Sequence, residues 1–236
     1  MSHGASIPEP NGGSQSAWLE APGLSAVRGL VHGFTTRAAG SFSAGPPAGW
    51  PAAAGGRRLR LLRQVHGAAV VGPEHPDPLP EADAWAGRPP PGVLLGVRTA
   101  DCVPVILCHP RTRTLAVVHA GWRGTAAGVV TSALEALGAP RQEVVAAVGP
   151  AIGGCCYEVG PEVVRALGPG PWATRAGRRW IVDLRGRVEA ELVRAGVPPG
   201  RIERVGGCTG CGEGFFSHRA RADTGRMLAF AGWREP

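Results

Sequence analysis

Two short apolar runs constrain the fold of this chain more than any other feature. Residues 103–107 and 115–118 each have the length and β-branched content of a buried strand. Asp101 and Cys102 stand immediately before the first run, and His119 stands immediately after the second. If the two strands are neighbours, the thiol of Cys102 and the imidazole of His119 lie at one end of a sheet. The pattern therefore predicts either soft-metal binding or a Cys/His nucleophile pair at that end.

The composition favours a folded protein that binds small anions. The 236 residues are 44% apolar, which is enough for a hydrophobic core in one large domain or two small ones. The 37 Gly and 23 Pro residues predict long loops between the apolar runs. The net charge of +7 comes with 25 basic residues, all arginine and spread along the chain. This distribution argues against nucleic-acid binding and favours phosphate held by guanidinium groups.

The amino-terminal residues give expectations about domain limits and location. Residues 1–16 are polar and rich in Gly, Pro and Ser, which predicts a disordered tail before a single domain at 17–236. No secretory signal pattern and no apolar run of membrane-spanning length is present. We therefore expect a cytoplasmic protein with no membrane partner, whose six cysteines are thiols or metal ligands rather than disulfides. The oligomeric state is left open.

Strand and helix patterns alternate along the remaining chain, which predicts an α/β or α+β fold. Further strands are predicted at residues 31–36, 93–97, 144–148, 180–184 and 201–205. Helices are predicted at residues 125–137, 161–167, 187–195 and 224–231. Residues 43–58 and 168–177 are predicted to be loops. The glycine-flanked turn that enters the first of these helices, beside Arg123, favours an anion at the helix N-terminus.

His66 is the candidate third member of the Cys102 and His119 site. It lies in a Gln-Val-His-Gly segment, where Gly67 predicts a bend. One Cys and two His would leave a fourth position open, as in catalytic zinc sites, and zinc would lower the pKa of a bound water toward ~7. The alternative from the same residues is a metal-independent hydrolase with Cys102 as nucleophile and His119 as base. Asp101 would orient a ligand or transfer a proton.

The remaining cysteines give weaker predictions. Cys208 and Cys211 form a C-x-x-C pair, but the sequence contains no second such pair to complete a four-thiolate zinc site. They are interpreted as partly buried structural thiols, with a redox dithiol as the alternative. Cys108 and the adjacent Cys155 and Cys156 are interpreted as packing residues.

Several blocks of the sequence together resemble one protein family. They are HGFTTR, QVHG, TADCVPVIL, VVHAGWRGT, VGPAIGGCCYEV and FFSHR followed by TGRM, and they run from about residue 31 to the end of the chain. The order of TADC and HAGWRG is especially specific. On these motifs the chain resembles the bacterial laccase-domain family, also called the purine nucleoside phosphorylase or polyphenol oxidase family.

The resemblance implies an α+β fold in one compact domain, with mixed β-sheets packed between helical layers in an α/β/β/α arrangement. It implies zinc, with copper as the alternative, held by the residues that match the family's ligands: His66, Cys102 and His119. It also implies phosphorolysis of adenosine, inosine, guanosine and methylthioadenosine, together with deamination of adenosine. The partners would be purine nucleosides and phosphate.

Phosphorolysis requires groups that hold phosphate near the scissile bond. We predict Arg37, Arg123 and Arg219 for this role, since each guanidinium can donate two parallel hydrogen bonds; a structural ion pair is the alternative for each. Copper-dependent polyphenol oxidation fits less well, because multi-electron reduction of oxygen needs several coppers and the chain has only seven histidines. A non-catalytic metal-binding protein is a further alternative.

Overall fold

The computed structural model describes residues 16–234, so residues 1–15 of the predicted tail lie outside the described residues. Within this range the chain forms two large β-sheets, a small third sheet and several helices. In residues 16–234, no helix combines the length and the apolarity that crossing a bilayer requires.

The first large sheet joins the two ends of the described chain. Its strands are β1 (Trp18–Leu19), β2 (Leu30–Thr35), β3 (Arg58–Arg60), β6 (Val93–Thr99) and β14 (Met227–Trp233). They lie in the order β1-β2-β14-β6-β3, and only the β3–β6 pair is parallel. The last strand therefore lies in the middle of the sheet, between strands from the first half of the chain.

The second large sheet contains the hairpin predicted from the two apolar runs. Its strands are β4 (Val70–Val71), β5 (Ala84–Gly87), β7 (Val103–His109), β8 (Thr114–Ala120), β9 (Val145–Val148) and β13 (Ile202–Arg204), in the order β13-β9-β7-β8-β5-β4. Strands β7 and β8 are antiparallel, with Pro104 opposite His119. This register brings Cys102, just before β7, to the same end of the sheet as His119.

The remaining elements cover the sheets. The small sheet consists of β10 (Glu158–Val159), β11 (Ala173–Ala176) and β12 (Arg179–Val182), with β12 in the middle. The helices are α1 (Pro22–Ser25), α2 (Trp50–Ala53), α3 (Trp122–Ala126), α4 (Val129–Leu137), α5 (Pro161–Leu167), α6 (Leu184–Arg194) and α7 (His218–Arg221), and short 3₁₀ turns occupy Arg37–Ala39, Arg141–Glu143 and Pro199–Arg201.

The two large sheets pack face to face. Their shared core contains Phe34 and Val97 of the five-stranded sheet and Trp85, Ile106 and Val117 of the six-stranded sheet. Because successive strand residues point to opposite faces, the neighbours of Ile106 on β7 face away from this core. They pack against helices instead.

Helices cover the outer face of the six-stranded sheet, where Val105 and Leu107 belong to a core cluster with Leu134 of α4 and Leu192 of α6. The outer face of the five-stranded sheet is covered more thinly, by α2 and the preceding loop. The buried residues of this outer cluster are Phe42, Trp50, Ala54, Leu94, Leu228 and Phe230. The layers are therefore helix, sheet, sheet and helix. This confirms the predicted α+β fold in one compact domain.

Four local predictions were wrong. The helix predicted at 125–137 is two helices, α3 and α4, because Gly128 adopts a left-handed conformation with φ of +83° between them. The loop predicted at 43–58 contains α2, and the loop predicted at 168–177 contains β11. The helix predicted at 224–231 is β14, whose Leu228 and Phe230 face the outer cluster while Ala229 and Ala231 face the shared core. Apolar residues on both faces of this strand give a continuous run that resembles a buried helix.

Candidate active site and metal centre

His66, Cys102 and His119 converge as predicted. One imidazole nitrogen of each histidine and the sulfur of Cys102 all lie within 4.8 Å of one another. His119 is the last residue but one of β8, Cys102 lies in the turn before β7, and His66 lies in the segment between β3 and β4. The two imidazole rings meet edge to face, with ring centroids 4.9 Å apart. The three side chains come from separate parts of the sequence but meet at one end of the six-stranded sheet.

Asp83 connects the buried histidine to the loop that carries the exposed one. Its side chain is fully buried and accepts a hydrogen bond of 2.7 Å from Nδ1 of His119. It also accepts hydrogen bonds from the backbone N–H groups of Val65, His66 and Gly67, at 3.2, 3.0 and 2.7 Å. Burial opposes the ionised form of Asp83, but these donors and the charge of His119 outweigh it and lower its pKa.

This contact determines how His119 can act as a ligand. Because Nδ1 donates to Asp83, the nitrogen that remains for a metal is Nε2. Asp83 was not predicted from the sequence. The signal that could have identified it is a single acidic residue within an apolar stretch, since a buried carboxylate requires partners.

The backbone around His66 is shaped for this position. His66 has φ of +61°, in the left-handed region. The hydrogen bond from its N–H to Asp83 holds the backbone in this conformation. Gln64 fixes the same segment to β6, because its side-chain amide donates to the carbonyl of Arg98 and accepts from the N–H of Arg98, both at 2.8 Å. The predicted bend at this segment is therefore held by two independent sets of hydrogen bonds.

Gly121 allows the ligands to come together. A Cβ atom at this position would lie 3.0 Å from Sγ of Cys102 and 3.0 Å from Cδ2 of His66. Both distances are too short for an undisturbed contact, and both neighbouring atoms belong to candidate ligands. The glycine between β8 and α3 is therefore required by space rather than by backbone conformation.

Cys102 and His119 shift each other's pKa strongly. Burial opposes ionisation of the Cys102 thiol, but the charge of His119 and hydrogen bonds from His119 and His66 lower its pKa to about 6. Burial likewise opposes the charge on His119, but the Cys102 thiolate and the Asp83 carboxylate raise its pKa to about 9. The sulfur is thus stabilised as a thiolate, the form that binds metals and acts as a nucleophile.

The donor set fits a zinc ion. A thiolate and two imidazoles within this distance would supply three of the four ligands of a zinc site, and all three side chains line the cavity. The same three donors occur in mononuclear copper sites, which add a weak axial methionine. In the described part of the chain the only methionine is Met227, and its sulfur accepts a hydrogen bond from the N–H of Phe216 at 3.0 Å. Met227 also does not line the cavity beside the candidate ligands, so the described residues do not provide that axial methionine.

Asp101 lies beside the site but is fully occupied by other partners. It is buried, and its carboxylate accepts hydrogen bonds from the hydroxyls of Thr209 and Ser217, at 2.6 and 2.7 Å, and from the N–H of Arg219, at 2.7 Å. These contacts orient the loops around the cavity. They fit a positioning role for Asp101 better than proton transfer.

An open cavity of about 730 Å³ lies over the candidate ligands. Its lining includes four arginines, namely Arg63, Arg98, Arg219 and Arg226, and a single acidic residue, Asp101. Burial and the charge of Arg226 lower the pKa of Arg98, so these two guanidinium groups are close enough to repel each other. An anion between them would relieve that repulsion.

The three arginines predicted for phosphate lie in different places. Arg219 lines the cavity, and its guanidinium donates to the carbonyl of Glu158 at 3.0 Å. Arg123 is exposed and stacks on Trp122, a lining residue, with its Cζ 4.3 Å from the ring centroid. Helix α3, which follows Gly121, has only five residues and is therefore shorter than the helix that was predicted to hold an anion at its N-terminus.

Arg37 does not line the cavity. Its guanidinium pairs with Asp223 at 2.7 Å and donates to the carbonyls of Glu213 and Phe215. It also stacks on Phe216, 4.3 Å from the ring centroid. This placement fits the structural ion pair that was the alternative for Arg37. Arg98 and Arg226 take its place beside the cavity, although neither was predicted from the sequence.

Aromatic side chains complete the lining. Trp122 and Tyr157 both face the cavity, and Tyr157 is buried. Burial and the neighbouring thiolate raise the pKa of Tyr157 to about 12, so its hydroxyl stays protonated and can donate a hydrogen bond. The site thus combines a metal-ligand set, cationic side chains and flat aromatic surfaces.

Comparison with known proteins places these features in context. The model of the family described as multi-copper polyphenol oxidoreductase laccase matches residues 51–234. A Deinococcus radiodurans protein named purine nucleoside phosphorylase is 38% identical over 246 residues, which cover 91% of this chain and 95% of that protein. A Streptomyces griseus protein with the same activity in its name is 37% identical over 206 residues, covering 76% of this chain and 81% of that protein.

Solved structures share the fold. The crystal structure of YlmD from Geobacillus stearothermophilus has a TM-score of 0.78 and 30% identity, covering 94% of this chain and 98% of that one. The structure of a Neisseria meningitidis protein has a TM-score of 0.81 and 28% identity, covering 93% of this chain and all of that one.

Proposed function

The chain belongs to the family described as multi-copper polyphenol oxidoreductase laccase, and we propose that it is a zinc-dependent purine nucleoside phosphorylase that also deaminates adenosine. Its substrates would be adenosine, inosine, guanosine and methylthioadenosine. The observation that carries the proposal is that His66, Cys102 and His119 line the same cavity as four arginines. The names of its relatives point to the same activity.

The arginines supply the phosphate site. In phosphorolysis an oxygen of phosphate bonds to the anomeric carbon of the ribose while the N-glycosidic bond breaks. The base is released with the proton of hydrogen phosphate, and the sugar is released as ribose 1-phosphate, or as methylthioribose 1-phosphate from methylthioadenosine. Arg98, Arg219 and Arg226 hold the phosphate dianion through charge-assisted hydrogen bonds. Arg98 and Arg226 both line the cavity, and the charge of Arg226 contributes to the lowered pKa of Arg98, so an anion bound beside them would be favoured.

The aromatic residues bind the base. The indole of Trp122 offers a face for stacking a purine, and the protonated hydroxyl of Tyr157 offers a hydrogen bond. Asp101 holds the backbone of Arg219 in place, so it acts as a positioning residue for the phosphate side of the cavity. Together these contacts bring the sugar between the phosphate and the base.

His66, Cys102 and His119 would hold the metal, with Asp83 fixing the orientation of His119. When bound, zinc supplies a Lewis acid and lowers the pKa of water, which deamination of adenosine requires. The cytoplasmic location and the absence of nucleic-acid and membrane partners remain part of the proposal.

Product analysis tests the proposal directly. Purified protein is incubated with adenosine or inosine in the presence and absence of phosphate, and its metal content is measured. Adenine or hypoxanthine with ribose 1-phosphate, formed only when phosphate is present, supports phosphorolysis. Inosine formed from adenosine without phosphate supports deamination. No turnover of any nucleoside would contradict both activities and favour a metal-binding protein.

Two substitutions sharpen this test. Cys102→Ala should abolish both activities and remove one metal per chain; retained activity without metal would contradict the zinc assignment. Arg219→Gln should raise the KM for phosphate by about 10- to 100-fold, the range for a lost charged hydrogen bond. Arg194→Gln, on the exposed surface of α6, serves as the matched control and should leave that KM unchanged.

Oxidation of phenols is the second candidate, favoured by the description of the family. It requires added copper and should persist after zinc is chelated. If the purified protein oxidises phenols under those conditions and does not cleave nucleosides, the oxidase is the correct function.

A further inference from the structure

Four cysteines outside the candidate active site converge at the protein surface. Cys155 and Cys156 lie in the loop between β9 and β10, and Cys208 and Cys211 lie in the loop that follows β13. Their four sulfur atoms all lie within 4.8 Å of one another. The sequence shows no second C-x-x-C pair for Cys208 and Cys211, but the fold supplies the missing pair from two adjacent cysteines. The interpretation of Cys155 and Cys156 as packing residues did not include this approach to Cys208 and Cys211.

The distances fit a shared centre better than a single disulfide. Sγ of Cys211 lies 3.1 Å from Sγ of Cys155 and 3.3 Å from Sγ of Cys156. Four sulfurs around zinc, each about 2.3 Å from the ion, lie about 3.8 Å from one another. The observed separations of 3.1 and 3.3 Å lie somewhat below that value, and all of the separations lie within 4.8 Å. A disulfide would join only two of the four sulfurs, although Cys211 contacts two partners at once.

Glycines allow the two loops to approach so closely. A Cβ atom on Gly210 would lie 2.9 Å from Cβ of Cys156, and one on Gly153 would lie 3.3 Å from Cβ of Cys208. Gly210 lies inside the C-x-x-C segment and Gly153 lies just before the adjacent cysteines. Each loop therefore has its smallest residue where the cysteine of the other loop comes nearest.

Backbone amides are directed at one of the sulfurs. The N–H groups of Gly153 and Gly210 donate to Sγ of Cys208, at 3.1 and 3.3 Å. Donors to sulfur stabilise the thiolate over the thiol, and such outer contacts orient metal ligands. One donor comes from each loop, so both loops contribute to the same cysteine. Cys155 and Cys211 are exposed, which leaves a route for an ion to enter.

We propose that Cys155, Cys156, Cys208 and Cys211 form a tetrathiolate zinc site that joins these two loops. Four protein ligands leave no open position, which is typical of a structural rather than a catalytic zinc. Thr209, between two of the ligands, donates from its N–H to the carbonyl of Ala151 and from its hydroxyl to Asp101. The zinc thereby stabilises the loop that positions Asp101 beside the active-site cavity. This site is separate from the proposed phosphorolysis and does not depend on it.

Cobalt titration distinguishes this site from the one at Cys102. The full chain is purified with reductant, stripped of metal and titrated with Co²⁺, and sulfur-to-cobalt absorption is measured. We expect wild type to bind two ions per chain, and both Cys102→Ala and Cys211→Ser to bind one. Cys102→Ala should keep most of the sulfur-to-cobalt absorption, because it retains four of the five thiolate ligands, whereas Cys211→Ser should lose most of it. Cys108→Ala, at a thiol buried within β7, is the control and should behave as wild type.

X-ray absorption of zinc-loaded Cys102→Ala tests the ligands without altering the four cysteines, so it holds even if Cys211→Ser does not fold. Four sulfur neighbours at about 2.3 Å support the proposal. The proposal is overturned if this variant, fully reduced, binds no zinc or binds it through nitrogen and oxygen. The absorption spectrum of an iron–thiolate centre in the isolated protein would overturn the assignment to zinc.

Discussion

At the scale of the single residue, Asp83 connects the parts of the candidate active site. One carboxylate oxygen accepts from His119, and both oxygens accept N–H groups from the loop that carries His66. A buried carboxylate that accepts four hydrogen bonds remains ionised, which strengthens the imidazole as a metal ligand. The two histidines are therefore oriented by one residue.

We predict that Asp83→Asn weakens zinc binding by about 10- to 100-fold, the usual effect of removing a contact behind a metal-bound histidine. The amide keeps the shape of the side chain but loses its charge and one acceptor. The zinc Kd is measured by competition with a chelator. Asp77→Asn, in the exposed loop before β5, is the matched control. A Kd for Asp83→Asn equal to that of the control would show that Asp83 does not support the metal site.

His32 gives a pH dependence that is independent of the metal ligands. It is buried in β2, and its Nε2 accepts the N–H of Ala21 at 2.9 Å, which requires the neutral ring. Burial lowers its pKa below 6.5, although the negative charges of Glu20 and Glu203 oppose this shift. Below pH 6.5 the unfolded chain therefore takes up a proton that the folded protein resists, so stability is complete above this pH and falls below it.

We expect the free energy of unfolding, measured with urea between pH 5 and 8, to fall by up to about 1.4 kcal/mol per pH unit from this residue at the acidic end. His32→Gln keeps an acceptor for Ala21 but cannot titrate, so its curve should fall less steeply below pH 6.5 and run parallel to wild type above pH 7. Identical slopes throughout would mean that His32 contributes nothing to the acid sensitivity.

The three candidate ligands could be predicted from sequence because each stands beside an apolar run or a bend. Their partners could not be predicted in the same way. Arg98 and Arg226 reach the cavity only because β6 and β14 are neighbouring strands. These two strands are separated in sequence by more than half of the chain. Arg37 stands at the end of a strand as predicted, but Asp223 lies close enough to bind it. Which arginine meets an anion is decided by tertiary contacts.

At the scale of the element, the hairpin of β7 and β8 was predictable and β14 was not. Both hairpin strands are short apolar runs bounded by turn residues, a pattern that favours strands. Strand β14 is equally apolar, but its two faces meet different clusters, so the alternation that identifies a strand is missing. Its place between β2 and β6 comes from pairing with distant residues, which local sequence does not encode.

The connection from β8 to α3 carries a prediction of its own. Gly121→Ala would place a methyl group 3.0 Å from both Cys102 and His66, which would separate the ligands by displacing one of them. We expect zinc affinity and nucleoside kcat/KM to fall by about tenfold or more, since small displacements of reacting groups have effects of this size. The far-UV circular dichroism spectrum should remain that of wild type.

Gly200→Ala is the control for this substitution, because no atom lies within 4 Å of a Cβ built at that position. It should leave metal affinity and activity unchanged. Normal zinc affinity in Gly121→Ala would show that the ligands can move apart without loss and that the close approach is incidental.

At the scale of the whole molecule, the two large sheets depend on each other for burial. The inner face of each sheet is covered by the inner face of the other, in a core that includes Ile106, Phe34 and Trp85. Strands from both ends of the described chain, β2 and β14, meet in the middle of one sheet. Neither sheet can therefore lose its partner without exposing a continuous apolar surface to water. We expect the chain to unfold as one cooperative unit.

Ile106→Ala tests this dependence at the centre of the shared core. The side chain is fully buried in β7, so its truncation should lower the free energy of unfolding by about 2–5 kcal/mol, the range for loss of a buried Ile with a residual cavity. Urea unfolding is followed by tryptophan fluorescence and by far-UV circular dichroism, and the two curves should coincide in both proteins. Val193→Ala, at an exposed position of α6, should change the stability by about 0.5 kcal/mol or less. Because Ile106 contacts the opposite sheet, its loss must weaken both sheets together; separate transitions in Ile106→Ala would show instead that the sheets unfold independently.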